Sequence, residues 1–138
     1  MARTYRRASR EVVPELPWMH DLTEKQRLHF REIGQVMTAS LLLHLDAIHP
    51  EAAELHLAEA SAAAEDHGRV AAGLGLSLSQ TVEGFVRFRA PFHRELALIA
   101  KRRGFDVAET TDLLVASERA MDRLLLAMTR GHGEAVPN

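Results

Sequence analysis

Apolar side chains recur along this chain at intervals of three and four, the period of a helix buried on one side. They do so in four long stretches separated by short polar breaks. In the first stretch, Phe30, Ile33, Met37, Leu41, Leu45 and Ile48 form a stripe behind Thr23-Glu24-Lys25-Gln26. That tetrapeptide is a capping box: the Thr hydroxyl accepts an orphan backbone N–H while the Gln side chain reaches back. His49-Pro50 stops this helix, and Pro50 suits the first turn of the next, where its missing N–H costs nothing. The second helix runs on an alanine-rich stripe of Leu57, Ala60, Ala64 and Ala71 to about Ala72, and ends at Gly73. Ser77 to Gln80 repeats the capping box and opens a third helix, with Leu78, Val82, Phe85, Phe92, Leu96 and Ile99 on its stripe, reaching Gly104. Asp106 and Glu109 start a fourth, whose stripe is Leu114, Met121, Leu125 and Met128 and whose stop is Gly131. No convincing strand, repeat or internal linker interrupts this series. The reading is all-α: residues 1–20 a short helical or disordered arm, 21–131 one helical domain, and 132–138 a disordered tail.

Composition narrows the picture. A chain of 138 residues forms one domain and buries a sizeable core without staples. It has no cysteine, which removes disulfides, thiolate metal sites and cysteine nucleophiles, and fits a reducing compartment. The net charge of −2 points to neither a nucleic-acid nor a membrane partner. No apolar run approaches the length of a membrane span, and the basic N-terminus has no apolar core behind it to make a secretory signal. A cytoplasmic protein is expected. Arg3, Arg6, Arg7 and Arg10, with no acid before Glu11, give the arm a basic character. The simpler reading is a solvated arm, and nucleic-acid binding is not expected.

The stretch "DHGRVAAGLGLSLSQTVEGFVRFRAPF", residues 66–92, has the glycine content of a phosphate-binding loop, but neither a preceding strand nor a Lys-Ser/Thr pair. "GLGLSLSQ" reads as a helix C-cap followed by a capping box, which needs glycine for backbone reasons alone. No two of the eight histidines have the i,i+3 or i,i+4 spacing that puts two metal ligands on one helix face, so no metal site is assigned. No Ser or Thr sits in a strand-to-helix elbow, so no catalytic residue is assigned either. "HGRVAAGL" at His67 is similar to the His-Gly stretch of a globin's distal helix. His93 would then be the proximal ligand, yet "RAPFHREL" lacks the apolar wall a haem needs. No cofactor is expected.

Several polar residues lie on apolar stripes: His67 among alanines, Arg89 between Phe85 and Phe92, and Glu118 between Leu114 and Met121. One reading lets these heads reach water along the stripe edge. The other gathers His67, Arg89, Glu118, Phe85, Phe92 and Met121 around a small-ligand pocket beside Pro91, whose ring frees the carbonyl of Arg87. If the third and fourth helices close near Gly104-Phe105, Arg89 and Glu118 lie level with one another, and a salt bridge between them follows. "LLLHL" in the first helix and "LLLAM" in the fourth put leucine on more sides than one core can bury. A two-fold partner is the simplest cover, with Leu43 and Leu124 as interface candidates.

From about Pro14 to His132 the chain resembles the N-terminal sensor domain of RsbT co-antagonist proteins, the RsbR-type stressosome family, a domain that also precedes bacterial transcriptional regulators and histidine kinases. The resemblance is carried by "VPELPWMHDLTEKQ", by "EDHGRVAAGLGLSLSQTVEGFVRFRAPFHREL" and by "ASERAMDRLLLAM". It implies a globin-like helical bundle without haem, usually dimeric, that passes a signal or a contact with a regulatory protein to a following module. No such module appears before residue 138, so the chain reads as an excised sensor or as one that acts alone. The expected function is a non-enzymatic bacterial regulatory sensor or protein-interaction domain of a homodimer, with a small ligand in a mid-bundle pocket as a further element. Three other classes stay open: a haem-binding globin-like sensor, the ligand-binding half of a TetR-type regulator, and a small helical enzyme. The TetR type would need a helix-turn-helix ahead of it, for which twenty residues are too few.

Overall fold

A computed structural model describes residues 21–135. The expectations for an arm over 1–20 and for residues 136–138 lie outside the described residues. Four helices follow one another: α1 (Glu24–Asp46), α2 (Pro50–Gly73), α3 (Leu78–Arg102) and α4 (Val107–Ala135).

Their starts are set by side chains reaching back to the backbone. The Gln26 N–H donates to Thr23 Oγ1 at 3.1 Å and the Thr23 N–H to Gln26 Oε1 at 2.9 Å. Ser77 and Gln80 form the same reciprocal pair at 3.1 and 2.9 Å. Asp106 and Glu109 form a third, at 2.8 and 3.1 Å. Each box satisfies two N–H groups that a helix start otherwise leaves without partners. Two helix ends are equally well defined. Gly75 and Gly104 take positive φ, +83° and +74°, where a side chain would be strained. After each, the chain folds back on the last turn: Leu76 N–H donates to Ala71 O at 3.0 Å, and Phe105 N–H to Ala100 O at 2.9 Å.

The helices alternate in direction, and α2 and α4, which run parallel, form the central pair. Small residues explain why these two approach so closely. A Cβ on Gly68 would run into the Met128 carbonyl oxygen, and one on Gly131 into the carbonyl oxygen of Glu65. Ala60 and Ala64 continue the buried face of α2, and Ala120 and Ala127 that of α4. α1 leans on α2, and α3 leans on α4 from farther away. Phe85 and Phe92 fill that wider gap. With Leu41, Leu96, Met121 and Leu124 they build one continuous core. A second, smaller cluster of Leu22, Phe30, Ala71 and Leu76 closes the end where α2 turns into α3.

Two boundaries differ from expectation. α1 stops at Asp46, so Ile48 lies in the linker, 91% exposed, rather than on the core stripe. More informative is the far end of α4. Gly131 was expected to end the helix and release a disordered tail from residue 132, but α4 continues to Ala135. Gly131 is not a stop; it is the point where α4 touches the backbone of α2. Beyond it His132 is buried, and Glu134 pairs with Arg69 of α2 at 3.1 Å, which holds the last turn in place.

Candidate functional site

The richest polar group lies on the seam between α3 and α4. His93 follows Pro91 by two residues on the flank of α3 that faces α4, and its Nε2 is 3.0 Å from Ser117 Oγ. Ser117 is fully buried. Burial, and then the nearby Arg89 guanidinium, lowers the His93 pKa from its ordinary value, while the carboxylate of Glu118 opposes them. The imidazole is therefore neutral at pH 7 and shares one proton-bearing contact with the serine. A histidine at hydrogen-bond distance from a hydroxyl has the contact of a base and a nucleophile. Here the hydroxyl has no exposed surface, so no substrate atom can reach it, and the contact ties two helices together.

Arg89 does not meet Glu118. Its Nη2 lies 3.6 Å from Asp122 Oδ1, with the Asp side chain 66% exposed. Glu118 points outward, exposed on α4. The register of the two helices explains this pairing. With His93 opposite Ser117 on antiparallel helices, Arg89 falls opposite the next turn of α4, where Asp122 stands. At position 117 the small serine takes the inward place and turns Glu118 away.

Two other histidines serve as tie points too. The His132 Nε2–H donates to Leu76 O at 2.9 Å, and the His44 Nδ1–H to Ala53 O at 2.6 Å; opposite a carbonyl, a ring nitrogen must donate. His67 is different. Its ring packs on Phe30 of α1, centroids 3.9 Å apart and tilted by 54°. Its Nδ1 is enclosed without a hydrogen-bond partner. Burial alone lowers its pKa to about 4.

The six pocket candidates are thus split among three places. Phe85, Phe92 and Met121 are packed into the main core, with Met121 inaccessible. His67 sits at the end of the bundle against Phe30, and Arg89 and Glu118 reach the surface of the seam. A cleft of about 330 Å³ lies elsewhere, at the α3–α4 corner between Ala97, Lys101, Val107 and Thr110. Among the described residues, no three His, Asp or Glu side chains are placed together to hold a metal ion. No helix there is long and apolar enough to cross a membrane.

Of the two interface candidates, the structure keeps one at the surface. Leu43 is 51% exposed, whereas Leu124 has no exposed surface and belongs to the protomer's own core. Leu124 is buried because α4 turns it toward α2, leaving Leu126 outside. Sequence reasoning missed two further members of the surface face, Leu28 and Val36, at 54% and 57% exposure. The signal was present: both lie on the side of α1 away from Phe30, Met37 and Leu41 when positions advance by about 100° per residue.

Comparison with protein-family models, with curated proteins and with solved structures finds no match to this chain.

Proposed function

We propose that this chain is a non-enzymatic regulatory interaction domain, a sensor-type helical module that acts in the cytoplasm through contacts with protein. One observation carries the reading. α1 packs on α2 with Phe30, Met37 and Leu41, yet exposes Leu28, Val36 and Leu43 on the opposite face. A helix apolar on two faces has one more than its own bundle uses. The buried polar groups support the same reading, since His44, His93 and His132 each join two segments of the bundle. The resemblance to RsbR-type sensor domains agrees with it, including a dimeric state and a regulatory protein as partner.

The haem-sensor alternative has a specific obstacle. Nε2 of His93, the atom a haem iron would take, already faces Ser117 Oγ. A hemin titration followed in the visible range tests this directly. The reading predicts the spectrum of free hemin at every ratio. A stoichiometric Soret band that disappears in His93→Ala would overturn it in favour of a haem protein.

A further inference from the structure

We infer that the outer face of α1 is a self-recognition surface, on which two copies of this chain pair antiparallel about a two-fold axis between Gln35 and Val36. The inference rests on the reading of the chain as an interaction domain and names the occupant of its apolar face. Successive residues turn by about 100°, so Leu28, Val36 and Leu43 fall on one arc of α1, on the side away from Phe30, Met37 and Leu41.

Along this arc the leucines stand symmetrically, and the end charges with opposite sign, about the midpoint of Gln35 and Val36. Leu28 stands as far before that point as Leu43 stands after it, and Lys25 as far before as Asp46 after. An isologous interface requires that residue i meet j while j meets i, and an antiparallel pair centred here meets that requirement at every step. Leu28 meets Leu43 of the second copy, twice. Val36 lies beside its own mate at the axis. Glu32 falls opposite Ala39, so no acid faces an acid. Lys25 meets Asp46 at both ends.

Asp46 already pairs with Arg103 of α3 at 2.9 Å. A carboxylate has acceptor sites to spare for a second cation. A parallel pair has none of this complementarity, because it sets Lys25 against Lys25 and Asp46 against Asp46. The charges therefore select the antiparallel direction, and the leucines set the register. One helix stripe is a small interface, below the standard size for a stable complex, so the pairing is expected to be a weak one.

The cysteine-free sequence makes the test direct. Leu28→Cys, Val36→Cys and Leu43→Cys are made singly, with Leu126→Cys on α4 as a control, and circular dichroism confirms that each folds. All replaced side chains are exposed, so the fold should tolerate them. Under mild oxidation at tens of micromolar protein, Val36→Cys should cross-link to itself. Leu28→Cys mixed with Leu43→Cys should cross-link as a mixed pair. Leu28→Cys alone should cross-link at least about tenfold less, because its two copies stand roughly 22 Å apart along the axis. Efficient self-linking of Leu28→Cys would overturn the antiparallel register. Linking at Leu126→Cys but not at Val36→Cys would overturn the surface while leaving the interaction reading intact. A chain that stays monomeric and never cross-links would overturn the self-recognition itself, a result independent of the hemin titration.

Discussion

His67 shows how a single buried ring makes stability depend on pH. Its neutral form fits against Phe30, and burial holds its folded pKa at about 4, against 6.5 in the unfolded chain. Between those values the unfolded chain binds more protons than the folded one, so stability falls as the pH drops from 6.5 to 4, and the His67 contribution is fully lost below 4. The loss amounts to about 3 kcal/mol. Urea unfolding of the wild type and of His67→Leu across that range should show a steeper pH dependence for the wild type. Parallel curves would mean that the ring meets water. The stripe position of His67 was legible in the sequence, but its partner was not, because Phe30 comes from another helix. Glu118 shows the opposite failure. Helical periodicity resolves a face only to within a residue or so, and the small Ser117 took the inward place. The contact of Arg89 with Asp122 at 3.6 Å is an exposed one, of the kind that contributes between about 0 and 1 kcal/mol.

At the scale of elements, helix starts were the most legible features, because a capping box is local chemistry: the hydroxyl, the Gln or Glu and the N–H groups they satisfy lie within four residues. Helix ends were less so, since glycine does two different jobs here. Gly75 and Gly104 adopt positive φ and turn the chain, whereas Gly68 and Gly131 sit inside helices because α2 and α4 touch there. One letter cannot distinguish these roles, and Gly131 has the sequence signature of a stop while sitting inside α4. The second role makes a sharp prediction. Gly68→Ala and Gly131→Ala should each cost about 2 kcal/mol or more, because the new methyl meets the rigid backbone of the facing helix. Gly34→Ala in α1 meets nothing within 4 Å and should be neutral or stabilising by about 0.5–1 kcal/mol, since alanine favours a helix. Thermal unfolding of the three variants checks this, and equal effects at all three positions would contradict the close crossing.

At the scale of the bundle, the described residues form a central parallel pair, α2 and α4, flanked by α1 and α3. Four helices and an all-α bundle were legible from periodicity, which reports that each helix has a buried side. Periodicity does not report which helix covers it. The close pairing of α2 with α4 depends on glycines and alanines whose small size matters only once two backbones meet. The candidate pocket dissolved for the same reason: its six residues share stripes in sequence but separate into core, bundle end and seam once the helices pack. Among the apolar side chains that the packing leaves exposed are those on the outer face of α1. Sedimentation velocity of the wild type and of Val36→Arg, from about 1 to 100 µM, tests the account most directly, because it asks whether that face is used. The wild type should shift from monomer to dimer across this range. The variant, with two like charges brought together at the axis, should remain monomeric with unchanged helicity. A wild type that sediments as a monomer throughout, or a Val36→Arg protein that dimerises as well as the wild type, would contradict the account.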